Sequence, residues 1–322
     1  MIAQGAENST LSQITDVLGA TSATEISTLH DKLAGQLSTL DLNTTVLPAN
    51  SLWIDTRFSL KEQYRSDFDH FYGKNIFSLN LHEDAAVERI NKWCADNTRN
   101  LITEIINETP EAGMVLVNTL YFEGKWAAKF NKEATRPHTF NNIDNSKSTV
   151  QMMQSQRMAE YGEHDGTKAV RLPYGNGAYS IVFILPPEDA PNDTRLTADA
   201  YSALTAHETM TTERVLVELP RFDVTAQSTL NMSLAEIGMP DLLGPSSDLS
   251  GITDEAATID AIFHKCRIIT DEDGTQAAAA TITDVDTALL PDYEITFDRP
   301  FTFIIEEQST GLILFIGRIN RL

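Results

Sequence analysis

Positive charge and cysteine are both scarce in this chain. Only 24 of its 322 residues are lysine or arginine, against 46 aspartate and glutamate, which leaves a formal charge of −22 at pH 7. A surface of that sign repels phosphate backbones and anionic lipid, and no Lys/Arg cluster makes a local exception, so nucleic acid is not expected as a partner. No apolar run reaches the length of about 18 residues that a membrane-spanning helix needs, and "MIAQGAENST" has neither the basic start nor the apolar middle of a signal peptide. The two cysteines, Cys94 and Cys266, lie far apart with no CxxC or Cys/His spacing. That spacing excludes a recognisable metal site and points to buried thiols. What remains is ordinary globular composition, with 42% apolar and 22% charged residues, enough to build a large core.

Helix and strand patterns are mixed along the chain rather than alternating. "STLSQITDVLG" opens on hydroxyl caps, carries Leu11, Ile14, Val17 and Leu18 on one face and closes on Gly19, which predicts a short amphipathic helix. A second helix is expected from Glu25 to Leu40, and a long one through "DAAVERINKWCADNTRNLITEIIN", where Val87, Ile90, Trp93, Cys94, Leu101 and Ile105 recur at helical spacing. "TVLPANSLWI" reads as extended. "MVLVNTLYF" is apolar on both parities, as a strand covered on both faces must be, and "YSIVFILP", "RVLVELPRFDV", "ITFDRPFTFIIEE" and "LILFIGRINRL" predict further strands. The irregular interleaving fits an α+β fold with large sheets better than a doubly wound one.

Catalytic motifs are missing: there is no GxSxG, HExxH or GxxxxGKS/T, and "YGNG" reads as a turn between strands. His264 stands alone in a strand-like run and is better read as a hydrogen-bonded core residue than as a general base. No catalytic residue, metal or cofactor is expected. One segment is unusual, the run "DEDGTQAAAATITDVDTALLPD" from Asp271 to Asp292. From Thr275 to Thr287 its odd positions are all small and uncharged, while both charges, Asp284 and Asp286, fall on even positions. As a strand it would present one face able to slide over a packed core. Outside a sheet it has too little apolar surface to hold one conformation, and exposed loops of this kind are where proteases cut. The segment is suited to be loop or strand.

That run closely resembles the reactive-loop hinge of serpins. The resemblance extends through "GAENSTLSQITDVLG", "INKWCADNTRNLITEII", "NTLYFEGKWAAKF", "VQMMQSQ", "LPYGNGAYSIVFILP", "LPRFDV", "IDAIFHKCRI" and "DRPFTFIIEEQSTGLILFIGRI", in the family's order from residue 5 to residue 320. It implies a single domain over 1–322 with three β-sheets, about eight or nine helices and an exposed reactive-centre loop at 272–291. It also implies a suicide-substrate inhibitor: a serine protease attacks the loop, and the cleaved loop inserts into the central sheet and traps the acyl-enzyme. The native fold is then metastable. The family's alternative is a serpin-fold protein that binds without inhibiting. At the front, the "GA-N-T" block begins at Gly5, so Met1 falls inside the second helix and the first helix, first strand and most of the second helix are absent, either through an internal start or in a truncated, inactive form.

The resemblance assigns residues one by one. Glu272, Gly274, Thr275, Ala277, Ala278, Ala279, Ala280 and Thr281 fall in the hinge; Asn118 and His264 match the polar pair of the shutter beneath the sheet, and Trp126 matches the breach where insertion starts. Family spacing puts the scissile bond after Ala288, fourteen positions beyond Gly274, while counting back from Phe297 gives Leu289; Thr287 is the neighbouring option. No Lys or Arg lies between Glu272 and Pro291, so an acidic specificity pocket finds no partner and an elastase-like or subtilisin-like protease is the expected target. The implied complex is covalent and one-to-one, formed by a monomer. The family setting implies an extracellular or cell-envelope location.

Overall fold

The computed structural model describes residues 1–110, 113–190, 195–275 and 290–322. The chain forms two compact units: Met1–Thr39, Val46–Tyr121 and Thr225–Arg267 make the first, and Leu40–Thr45, Phe122–Val224 and Ile268–Leu322 the second. Among the described residues there are six α-helices, two short 3-10 turns and fourteen strands.

In the first unit α1 (Asn8–Leu18) ends where Gly19 turns left-handed at φ 61°. Glu7 rather than a hydroxyl stands at its N-cap, and Thr10, buried in the first turn, accepts from the Asp248 amide at 2.9 Å. Helix α2 (Ala23–Leu37) is capped by Ser22, whose Oγ accepts from Glu25 N. Strand β1 (Thr44–Asp55) pairs in parallel with β2 (Ile76–Leu79), and α3 (Glu62–Tyr72) lies between them in sequence. The long helix expected next is shorter: α4 covers Asp84–Asn97 only. Arg99 and Asn100 have positive φ of 49° and 62°, which breaks the helical ladder. The following turns are held instead by side chains. Thr98 Oγ1 donates to Cys94 O and accepts from Ile102 N, and Asn91 Oδ1 accepts from the amides of Ile105 and Ile106. Ile102 and Ile105 keep the helix-like spacing because they pack into the core beside Trp53, Ile90 and Trp93.

Strand β3 (Met114–Lys125) shows why both parities had to be apolar. Met114 and Leu116 pack into one core with Leu52, Ile54, Tyr64 and Phe68, whereas Val115 and Val117 pack into the other with Trp53 and Trp93. A sheet covered on both faces excludes water from every second residue on each side.

The second unit is built on β4 (Arg136–Asn141), β5 (Lys147–His164), β6 (Thr167–Tyr174), β7 (Tyr179–Leu185) and β8 (Thr211–Pro220), with α5 (Ala198–Thr205) between β7 and β8. Strand β9 (Phe222–Thr229), α6 (Asn231–Glu236) and β10 (Ile259–Asp271) follow; then come β11 (Gly274–Thr275), β12 (Tyr293–Thr296), β13 (Phe301–Glu307) and β14 (Leu312–Ile319). Strands β1, β3, β9 and β10 each contribute residues to both units. "YGNG" is the expected turn, with Gly175 and Gly177 at φ 46° and 90° between β6 and β7.

Among the described residues the strands make two hydrogen-bonded sheets, a six-stranded one ordered β2-β1-β3-β11-β10-β9 and an eight-stranded one ordered β12-β8-β5-β6-β7-β13-β14 with β4 on β5. Strand β5 joins several ladders of the larger sheet. It runs 18 residues, pairing with β4 over 147–152, with β8 over 152–161 and with β6 over 160–164, so the three ladders share one strand.

Candidate functional site

Two clusters hold the predicted residues. The first surrounds β11, in the second unit. Gly274 pairs with Lys125 of β3 and Asp271 of β10, and Thr275 with Gly124 and Thr270, antiparallel on both sides. Two residues of the predicted hinge are thus already a strand between β3 and β10. Gly274 is required there: at φ 146°, a Cβ would stand 2.2 Å from Gly124 O and 2.7 Å from the Lys125 Cα. Thr275 is 1% exposed, and its hydroxyl meets the Tyr174 hydroxyl at 2.7 Å.

Trp126 backs this strand. Its ring stacks on Tyr174, centroids 4.7 Å apart and planes within 9°. Its Nε1 donates to Asp271 O at 2.8 Å and its amide to Asp273 O at 3.1 Å, while Phe130 N donates to Glu272 O at 3.0 Å. The side chains before the glycine are ion-paired. Glu272, 1% exposed, accepts from Arg221 Nε at 2.8 Å and from the Thr135 hydroxyl; Asp273 accepts from Lys129 at 2.7 Å and also from Lys132. Burial opposes the charge on both carboxylates, but Arg221 and Thr135 hold Glu272, and the two lysines hold Asp273, below the usual carboxylate range. Burial pushes the Tyr174 phenol up, so it meets Thr275 as a neutral hydroxyl.

The second cluster lies in the first unit, where β3 and β10 pair directly and in parallel from Ile259↔Met114 to Lys265↔Thr119. His264 sits opposite Asn118 in this register, and His264 Nδ1 is 2.9 Å from Asn118 Oδ1. Asn118 Nδ2 donates to Asn50 Oδ1 at 2.7 Å, so its own Oδ1 must accept, and His264 carries its proton on Nδ1. Asn50 Nδ2 in turn points at His30 Nε2, 3.4 Å away. Burial pulls both imidazoles below the usual histidine value. The whole chain of bonds is neutral at pH 7.

Glu272, Gly274, Thr275 and Trp126 are therefore brought together, and Asn118 is joined to His264. Ala277, Ala278, Ala279, Ala280, Thr281, Thr287, Ala288 and Leu289 lie outside the described residues. Sequence reasoning missed Tyr174, Arg221, Lys129, Asn50 and His30. "YGNG" was legible only as a turn, and nothing in "LPRFDV" or "PANSLWI" indicates a partner far along the chain.

The family model for serpins, serine protease inhibitors, matches residues 1–322. The chain belongs to the serpin family. It is 31% identical to leukocyte elastase inhibitor A of Mus musculus over 99% of this chain and 89% of that one, and 29% identical to an uncharacterized serpin-like protein of Methanosarcina acetivorans over 98% and 77%. Among solved structures it is similar to the native state of tengpin, a thermophilic serpin, at a TM-score of 0.87 and 28% identity, covering all of this chain and 85% of that one. Many serpins inhibit serine proteases. No helix among the described residues is long and apolar enough to cross a membrane.

Proposed function

We propose that this serpin inhibits an elastase-like or subtilisin-like serine protease by inserting its cleaved loop between β3 and β10. The observation that carries the reading is β11 itself. Gly274 and Thr275 hydrogen-bond to both neighbours as the first rung of an inserted strand, and the residues after them to Thr287 include no proline and have every odd-numbered side chain small and uncharged. Each further residue entering the same gap would add ladder bonds worth ~0.5–1.5 kcal/mol apiece.

The chemistry runs as follows. The protease serine attacks the carbonyl of Ala288, its Oγ bonds to that carbon, and the amine of Leu289 leaves with a proton from the protease's general acid. Ala277–Ala280 and Thr281 then extend β11 along β3 and β10, drawing the ester-linked protease away and stalling the water attack that would free it. Glu272 and Asp273, held by Arg221 and Lys129, serve as the pivot and stay in place. Asn118 and His264 serve as the seam, exchanging their mutual bond for bonds to the entering strand. Trp126 closes the entry.

The reading is tested by mixing the protein with elastase-type, subtilisin-type and trypsin-type proteases and seeking a one-to-one complex that survives boiling in detergent. The expected result is a complex with the first two and none with the third. The C-terminal fragment released from it should begin at Leu289. A fragment beginning before Thr287 or after Leu290 refutes the assigned bond, and cleavage without any stable complex refutes inhibition and leaves a serpin-fold binding protein.

A further inference from the structure

Arg157 is out of place on electrostatic grounds. It lies on β5, is 5% exposed, and has no carboxylate within ion-pair distance among the described residues, in a chain where acids outnumber bases almost two to one. A buried cation with no counter-ion is costly, and cores do not retain one for packing alone. Burial lowers its pKa to about 10.

Its contacts converge on one short segment. Nη1 donates to Ala128 O at 2.8 Å and Nη2 to Lys129 O at 3.3 Å, while the guanidinium carbon lies 4.1 Å from the centre of the Phe130 ring. Nε donates to Ser155 Oγ at 3.2 Å on its own strand, which sets the direction of the fork. The segment so held is the one that grips the residues before Gly274. Trp126 binds Asp271 O and Asp273 O, Phe130 N binds Glu272 O, and Lys129 Nζ binds the Asp273 carboxylate. Arg157 also stands opposite Val215 in the sheet, and Val215 opposite Tyr293. The point where the chain returns to the sheet at β12 therefore shares its row.

We propose that Arg157 is a positioning residue: it locks residues 126–130 as a rigid clamp on Asp271–Asp273, and the rigidity of that clamp sets how often an attacked loop inserts before the protease escapes. The inference rests on the insertion reading above. It acts through geometry, because a loop can zip into a sheet from its first rung only if the residue before that rung does not move. If the clamp yields, the first rung slips, insertion slows and hydrolysis of the acyl-enzyme wins more often.

The test compares the intact protein with Arg157→Met, which keeps the stem and removes every donor, and with Arg157→Lys, which keeps the charge. Two quantities are read: amide hydrogen exchange in residues 126–130 and 271–275, and the moles of inhibitor consumed per mole of elastase-type protease. In Arg157→Met exchange should rise ~tenfold in both segments and not in β6 or β7, and the consumption ratio should rise several-fold, with Arg157→Lys intermediate. A lowered melting temperature with both quantities unchanged makes Arg157 merely structural and overturns the proposal. Should Arg157→Met not fold, Phe130→Leu removes the ring beneath the guanidinium, and unchanged exchange and ratio in that variant overturn it equally. If the unmodified protein forms no stable complex, the insertion reading fails, while the exchange measurement still decides whether Arg157 fixes the clamp.

Discussion

Strands β3 and β10 are joined in two ways, and the two places differ in chemistry. From Met114 to Thr119 and Ile259 to Lys265 they pair with each other, and the side chains at that seam, Asn118, His264 and Asn50, are bonded without any net charge. At Gly124–Lys125 and Thr270–Asp271 they pair instead with β11, and the flanking side chains are Glu272 and Asp273 with Arg221, Lys129 and Lys132. A neutral bond can be exchanged for another at modest cost, about 1 kcal/mol net, whereas parting the buried Lys129–Asp273 pair would strand a charge away from water. The seam is suited to part and the pivot to hold. On the proposed mechanism those are their two tasks.

The largest effect should come from putting charge into β11 itself, next to the ion-paired residues. Thr275→Arg sends a guanidinium into a site now 1% exposed and bonded to Tyr174. Because Thr275 is already seated in β11, an unpaired guanidinium there drives β11 out from between β3 and β10 and removes the first rung, so the protein should be cleaved as a substrate, with the detergent-stable complex lost. Retention of the complex on a gel, at an unchanged ratio of inhibitor to protease, would break the comparison at its root.

A smaller effect is expected at the seam. Asn118→Ala strips a partner from both His264 Nδ1 and Asn50 Oδ1, and since these groups are half-buried the cost should lie toward the lower end of the ~1–3 kcal/mol for an unsatisfied polar group. The midpoint of urea unfolding should fall accordingly. A loss well below that range would mean that the seam is not held by this network.

The smallest effect should separate the two places by pH. His264 and His30 bind protons less readily in the fold than in the unfolded chain, chiefly because they are buried. Above the ordinary histidine value of about 6.5 both states are neutral and nothing is lost; below it the unfolded chain takes up more protons, so stability falls until pH passes the lowered folded values. Glu272 and Asp273 respond later. Their contribution is present above the ordinary carboxylate range and is lost as pH falls through their still lower folded values. Urea midpoints measured from pH 7.5 to pH 3 should therefore decline in two stages, and His264→Gln should reduce the first while leaving the second. A single acid transition would remove the distinction.

What was legible of the first cluster is local in sequence: Glu272, Gly274 and Thr275 fall within four residues. The alanine tract that follows them lies outside the described residues. Trp126, Asn118 and His264 were named through motifs around them. Their partners were not legible, since Tyr174 lies far from Thr275 along the chain, Arg221 far from Glu272 and Asn50 far from Asn118. The end of α4 was misjudged for a related reason: apolar spacing continues through Ile105, but the backbone turns at Arg99 and Asn100 and side-chain bonds from Thr98 and Asn91 replace the ladder.

By itself the sequence determined which residues could be strand on both faces and which segment is small and uncharged on one parity, because those properties belong to single side chains and their alternation. Tertiary structure alone decided that β11 sits between β3 and β10, that Glu272 and Asp273 before it are ion-paired while the Asn118–His264 contact is neutral, and that the buried Arg157 binds the carbonyls of Ala128 and Lys129. Each of these depends on atoms brought within hydrogen-bonding distance from different parts of the chain, and no local pattern records which distant groups the packing of the sheets will bring together.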